Sequence, residues 1–510
     1  MRAVFYIKKF NIDSFFGVKM NRFKFINFLF AFLIILTPFA ICFGQQKVGD
    51  LKIESYVFEN SKKEKVDAEF GKLTVPENRN NPNSRLIELA FVRFKSTSPN
   101  PGSPIIYLAG GPGGSGISTA EGSRFPLFMA MREFGDVIAL DQRSIGRSTP
   151  NLACRRESNL PLDKPATRAE IIAFATGELK KCADKWRSQG VDLASYNTNE
   201  NADDIESLRQ TLGAKKVSLW GISYGTTLGL TIIKRHGQNV DRAILAGVEG
   251  LDDALKLPSD VQQHLADIAR LVKVDSALNK EIPDFLALVK TVFDRLEKQP
   301  VTVEVTDPQT KQKASVVINK YALQLLTASV IGTDSIAAFP RLYYAASKGD
   351  YSEIASQWII AAKYRIGSGS AMSYVTDCSS GASSKCLKRV AREAKNTLLE
   401  NAADIEFPDV CAAWGNPDLG EKFRASVKSK VPVLLISGTL DGRTPVSNAE
   451  AVRRGFSNST HLIIKGAWHS DPLFLSSPQI KDAMQEFMRG VPVSTTKITL
   501  PPLKFAPLKP

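Results

Sequence analysis

The sequence predicts an α/β fold: a doubly wound, mostly parallel central sheet flanked by helices, with a large, mainly helical insertion between late strands. Three observations predict it. Short apolar runs bounded by turn residues alternate with helical patterns up to about residue 250. Two of those runs end in special turns, one rich in glycine and one centred on a serine. The alternation stops from about Leu251 to Lys430, where the text reads as helices, and then resumes.

In chain order, Leu86 to Phe94 alternates as a strand. Pro104-Ile105-Ile106-Tyr107-Leu108 reads as a buried strand, followed by Ala109-Gly110-Gly111-Pro112-Gly113-Gly114-Ser115-Gly116. Asp136-Val137-Ile138-Ala139-Leu140 is the next, leading into Asp141-Gln142-Arg143-Ser144-Ile145-Gly146-Arg147-Ser148. Ala202 to Leu212 places Ile205, Leu208 and Leu212 on one helical face. Val217-Ser218-Leu219-Trp220 is a strand, Gly221-Ile222-Ser223-Tyr224-Gly225 a sharp turn, and the residues from Thr226 a helix. Arg242 to Gly247 is another strand. In the insertion, Ile282 to Leu296 and Tyr321 to Ile331 read as helices, and Val301 to Val305 with Ala314 to Ile318 as a small hairpin. Strands return at Val431 to Ser437 and His461 to Ile464, and the Pro- and Lys-rich tail after Val491 is expected to pack irregularly. An insertion at this point is expected to cap the C-terminal ends of the strands, where such sheets bind ligands. The expected division is a signal peptide at 1–44, a first part of the core at 45–250, a helical cap at 251–430 and the C-terminal part of the core at 431–510.

The chain has 510 residues, 43% of them hydrophobic and 23% charged, an ordinary globular composition with length for a large core. The net charge is +14, to which the first 44 residues contribute six basic side chains and one acidic. The remaining basic residues are scattered, without an arginine-rich tract or interleaved aromatics, so a solvated surface is expected and nucleic acid is not an expected partner.

Phe25 to Phe43 is almost continuously apolar, preceded by Lys19, Arg22 and Lys24 and followed by Gly44. That order reads as a secretory signal cleaved after Gly44, with Met20 as an alternative start and an uncleaved membrane anchor as the alternative fate. A secreted or periplasmic protein with no stable membrane insertion after cleavage follows. Export makes disulfides plausible: Cys154 and Cys182 flank a helical stretch and can pair, while Cys378, Cys386 and Cys411 allow one further pair. No Cys/His cluster suggests a metal, and no cofactor is expected.

Ser223 sits on a strand–turn–helix elbow, which needs a base and an oxyanion hole to become a nucleophile. The four histidines narrow the base. His236 lies in the last turn of the helix after Ser223, His264 in the insertion, and His461 at the start of a strand. His469, in Gly466-Ala467-Trp468-His469-Ser470, follows a strand at the sheet's C-terminal edge and is the expected general base. The orienting acid belongs between serine and histidine in such an elbow architecture. Asp441, just past the strand that ends at Ser437, is preferred over Asp471, which is too near His469. The glycine loop lacks the Gly-Lys-Ser/Thr ending of a phosphate loop, so the amides of Gly111 and Tyr224 are expected to form the oxyanion hole.

This ordered set resembles the α/β-hydrolases of the proline iminopeptidase and tripeptidyl aminopeptidase group. The matching text is Gly110 to Gly116, Asp141 to Ser148, Gly221 to Thr226, Asp441-Gly442-Arg443-Thr444-Pro445 and Gly466-Ala467-Trp468-His469, with Phe70 to Asn78 as an opening strand region. The likeness covers about 65 to 480 and is weakest in the insertion. Two positions depart from the group's pattern, Ala109 where iminopeptidases usually carry His and Ser144 in place of a glycine. The resemblance implies an α/β-hydrolase fold and acidic groups beneath the cap that hold a free peptide N-terminus, with Glu249 as the candidate. The expected function is a secreted serine hydrolase cleaving short peptides from a free N-terminus. A carboxylesterase acting on small esters is the alternative, and a non-catalytic binding module is a further one.

Overall fold

The computed structural model describes residues 47–508 apart from 406, 416 and 417. The expected signal segment, residues 1–44, lies outside the described residues. Ten strands share one sheet: β1 (Leu51–Glu59), β2 (Lys65–Pro76), β3 (Leu86–Phe94), β4 (Ile105–Leu108), β5 (Val137–Leu140), β6 (Val217–Ser223), β7 (Val240–Val248), β8 (Val433–Gly438), β9 (Ser459–Lys465) and β10 (Lys497–Thr499). Their spatial order is β1-β2-β3-β5-β4-β6-β7-β8-β9-β10. The pairs β1–β2, β2–β3 and β3–β5 are antiparallel, and all pairs from β5 onward are parallel.

Every residue of β4, β5 and β8 is buried, because helices cover both faces of the sheet. That explains why these strands read as unbroken apolar runs. β1 went unread in the sequence because Lys52, Glu54 and Ser55 interrupt it, and most of its residues are exposed. The tail differs from its expectation. Lys497–Thr499 pairs with Ile463–Lys465 as the edge strand, burying Ile498 and satisfying β9's outer backbone groups.

Two helices ahead of the serine carry side-chain caps. Thr167 and Asn197 accept the amides of Glu170 and Glu200 at the starts of α1 (Arg168–Ser188) and α2 (Thr198–Thr211). α3 (Tyr224–His236) leaves β6 directly after Ser223. Between β7 and β8 the chain runs through further helices, beginning with α4 (Pro258–Val274) and including α5 (Ala371–Ser380). The hairpin is Val301–Thr306 paired with Lys313–Ile318. The hydrophobic cluster of these helices is not built from the insertion alone. Leu152, Ile171, Leu179 and Tyr196, all ahead of Ser223, pack in one cluster with Leu265, Phe285, Val292, Trp358 and Met372. Disulfides join Cys154 to Cys182 and Cys378 to Cys411, and Cys386 is free.

The turn after β5 is pinned by a buried ion-pair group. Arg143 is fully buried; its Nε and Nη2 each donate to Asp204 at 2.8 Å, and its Nη1 donates to the carbonyls of Glu77 and Ser195 at 2.8 and 2.6 Å. Arg79 adds bonds to Glu200 and Asp204 at 2.6 and 2.7 Å. One guanidinium therefore ties the turn, α2 and the end of β2 together.

Glycine is required where α3 meets the sheet. A Cβ at Gly225 would collide with the carbonyl of Leu108 in β4. Gly225→Ala is expected to lower folding stability by about 3 kcal/mol, the upper range for overpacking a core, as measured by urea unfolding.

Candidate active site

Ser223 closes β6 and begins α3 with φ 55° and ψ −129°, a left-handed conformation uncommon for a residue with a side chain. Close packing holds it there. A Cβ on Gly110 would lie 2.9 Å from Ser223 Cβ, so the glycine loop passes directly beside the serine. Thr226 Oγ1 donates to the Ser223 carbonyl at 2.7 Å. Ser223 makes no side-chain bond to the helix it begins. The Tyr224 amide is one of that helix's first-turn donors, which have no acceptor within the helix. Among the described residues the Gly111 amide donates to no backbone carbonyl.

His469 and Asp441 come together from the loops after β9 and β8. His469 Nδ1 lies 2.7 Å from Asp441 Oδ2. The Asp441 carboxylate also accepts the amides of Arg443 and Thr444 at 2.9 Å each and the Thr444 hydroxyl at 2.6 Å. Burial alone would raise this carboxyl; the charge and hydrogen bond of His469 and the Thr444 bonds outweigh it and hold it below its ordinary value. A Cβ on Gly247 would stand 2.9 Å from His469 Cε1, so the imidazole overlies the end of β7. β7 is the strand beside β6, and Val248 is the register partner of Ser223.

Thr444 was not singled out in the sequence. Its hydroxyl is 3.1 Å from His469 Nδ1 as well as bonded to Asp441, so it bridges acid and histidine. The only hint was its place in Asp441-Gly442-Arg443-Thr444. Asp471, set aside as the acid, pairs with Arg124 Nε at 2.8 Å.

Two of the other histidines have separate partners. His236 meets Asp203 of α2 at 2.7 Å. His461 forms a second Ser–His–acid set, 2.9 Å from Ser437 Oγ and 2.6 Å from Glu450 Oε1. Ser437 is fully buried within β8, so no substrate can reach it, and this set fastens β8, β9 and the helix Val446–Arg453. His264, on α4, packs against Gly442: a Cβ there would be 2.7 Å from the imidazole Cγ. Its Nε2 is buried without a partner, and burial pushes it down to about 4 against the pull of Asp441.

Glu249 follows β7 and is held at the start of α3. Its amide donates to Thr226 Oγ1 at 2.8 Å, and its carbonyl accepts from Thr227 Oγ1 at 3.0 Å. Its carboxylate pairs with Lys256 Nζ at 3.0 Å. Two more buried carboxyls feel the charge of that ammonium without pairing to it, and neither was legible in the sequence. Asp404 accepts the Lys256 amide at 3.0 Å, and burial raises it to about 7 despite that bond. Asp377, on α5, is pushed up to about 8 by burial and by the Glu249 charge, with Lys256 opposing. Its charge also bears on buried Tyr224. A cluster of three acids around one lysine thus adjoins the elbow.

A family model described as the alpha/beta hydrolase fold matches residues 103–474. Serine protease Hip1 of Mycobacterium tuberculosis is 32% identical over 189 residues, covering 35% of each chain. Tripeptidyl aminopeptidase of Streptomyces coelicolor is 29% identical, covering 35% of this chain and 34% of its own. Proline iminopeptidase of Neisseria meningitidis is 27% identical, covering 30% of this chain and 34% of its own. The chain thus spans about a third of the length of the curated relatives it matches.

The buried His264 carries a pH signature. Its folded pKa lies below the value of 6.5 for a free imidazole, so the unfolded chain binds the extra proton. Its contribution to stability is complete above pH 6.5 and is lost as the pH falls toward 4. Over that range the wild type is expected to lose about 3 kcal/mol through this group. His264→Leu is expected to lack that part of the slope in denaturant unfolding measured from pH 7 to pH 4.

Proposed function

The chain belongs to the α/β-hydrolase-fold family, and from that premise we propose that it is an exported serine hydrolase that cleaves short peptides from a free N-terminus, with Ser223, His469 and Asp441 as its triad. The supporting observation is the Asp441–His469 hydrogen bond of 2.7 Å above the strand next to the one that ends in a strained Ser223.

Ser223 Oγ attacks the scissile carbonyl carbon while His469 Nε2 takes its proton. Asp441 accepts from Nδ1–H, which leaves Nε2 as the basic nitrogen and stabilises the imidazolium that forms. The carbonyl oxygen becomes an anion held by the amides of Gly111 and Tyr224. The imidazolium protonates the leaving amine, the C–N bond breaks and an acyl-enzyme remains. Water, deprotonated by His469, then attacks the ester and frees Ser223.

The acid cluster supports the choice of a free amino terminus. Glu249, Asp377 and Asp404 bring three carboxyls close to Lys256, with the charges of Arg168 and Arg443 also bearing on Asp404. A substrate ammonium supplies the missing positive charge beside the elbow, and a neutral ester does not. The two disulfides support export, since such bonds persist in oxidising compartments.

Fluorophosphonate labelling tests the nucleophile: the folded wild type is expected to label and Ser223→Ala is expected not to. Parallel assays on aminoacyl amides and short acyl esters separate the two hydrolase classes, and turnover of esters alone would refute the peptidase assignment. The amine site has its own test. At pH 7 Asp377, with a pKa of about 8, holds a proton in the free enzyme. A bound ammonium pulls that value down, so binding releases the proton. Calorimetry of Ser223→Ala with a tripeptide, in buffers of different ionisation enthalpy, is expected to show proton release, reduced in Asp377→Asn to the smaller share that Asp404 supplies.

A further inference from the structure

The Gly110–Gly114 loop is fastened at three points. The Gly114 amide donates to the Gly110 carbonyl at 2.9 Å within the loop, and Gln142 Nε2 donates to the Ala109 carbonyl at 3.0 Å at its base. The third fastening comes from the helical insertion. Ser373 Oγ, on α5, donates to the Pro112 carbonyl at 2.7 Å. The same hydroxyl packs so closely on Gly113, at φ 104°, that a Cβ there would collide with it.

We propose that Ser373 is a positioning residue for the oxyanion loop, so that the helical insertion takes part in setting the Gly111 amide. This rests on the assignment of Gly111 as an oxyanion donor. The grip reaches Gly111 from both sides: the Pro112 ring locks φ, so holding its carbonyl restricts the Gly111–Pro112 peptide, and the Gly114 bond to the Gly110 carbonyl closes the loop around the Gly111 amide. The platform behind Ser373 is rigid. α5 begins where the Ala371 amide donates to the Leu152 carbonyl at 2.8 Å, and the preceding Gly369–Ser370 pairs with Ala153–Cys154. Further along, Thr376 Oγ1 donates to the Tyr196 carbonyl at 3.0 Å, Arg424 Nη1 donates to the Ser380 carbonyl at 2.9 Å, and Cys378 is bonded to Cys411. A donor preset for the developing oxyanion lowers the barrier only while its position is held, and loss of about 1 Å of precision costs up to 100-fold in rate.

The test compares wild type, Ser373→Ala and Ser370→Ala. Ser370 is the matched control, a buried hydroxyl just before the same helix with no partner. Two readouts are taken: hydrogen exchange of the loop amides of Gly113 and Gly114, and the rate of fluorophosphonate labelling. Ser373→Ala is expected to exchange faster at those amides and to label about 10- to 100-fold more slowly, at an unchanged melting temperature. Ser370→Ala is expected to match the wild type in both. Unchanged exchange or an unchanged labelling rate in Ser373→Ala overturns the proposal, as does an equal effect from Ser370→Ala. The exchange measurement needs no chemistry at Ser223. If Ser223→Ala still labels, the nucleophile assignment fails separately, and loop exchange then decides whether Ser373 holds the loop.

Discussion

The backbone conformation of Ser223 is the constraint on which the rest of the molecule depends. A residue with a side chain at φ 55° is held at a cost of about 1–3 kcal/mol and persists only when its surroundings over-determine it. Here β6 arrives between β4 and β7, α3 departs with Gly225 pressed on β4, and the glycine loop passes against the serine. The parallel order of the sheet, the loss of side chains at Gly110 and Gly225 and the Thr226 bond to the serine carbonyl all serve the same turn. The outcome is a serine held on a sharp turn at the end of β6, beside the glycine loop.

The helical layer is bonded to that site rather than laid over it. The Gly332 carbonyl accepts the amide of His469 at 2.9 Å, His264 packs on the turn that bears Asp441, and Ser373 grips the glycine loop. All three contacts come from the segment between β7 and β8. Asp441 is buried, and its bonds to His469 and Thr444 act there with little screening by water. The same low-polarity surroundings push Asp377 and Asp404 upward, so one dry environment stabilises one carboxylate and leaves two others short of positive charge.

The fold holds a hydrogen-bonded Ser437–His461–Glu450 set besides the proposed Ser223–His469–Asp441 triad, and bonding geometry alone does not rank them. Ser437–His461–Glu450 is the more completely hydrogen-bonded of the two, because both ring nitrogens of His461 have partners. Its serine is a mid-strand residue with ordinary extended backbone and no exposure, so its bonds serve packing. Ser223 differs in its turn, and the turn is what the pattern Gly221-Ile222-Ser223-Tyr224-Gly225 encodes.

Most of the sheet was legible because buried parallel strands are written as short apolar runs, a signal carried by neighbouring residues. The same holds for the elbow, the glycine loop, and the Asp441 and His469 turns, each a local sequence with its own backbone demand. β1 and the edge strand Lys497–Thr499 were not legible, since exposed strands carry mixed polarity and owe their form to a partner. The sequence by itself therefore determined the buried strands of the sheet, the sharp turn at Ser223 and the candidates for base and acid. Only tertiary structure decided that Thr444 bridges Asp441 and His469, that Asp377 and Asp404 gather around Lys256 with Glu249, that Cys411 rather than Cys386 takes Cys378, and that Ser373 reaches Pro112. The disulfide joins residues 33 positions apart, Ser373 reaches Pro112 across 261, and Thr444 depends on where a histidine 25 positions on lands. Contacts of that range are set by how the helical layer packs, and no local pattern in a single chain records it.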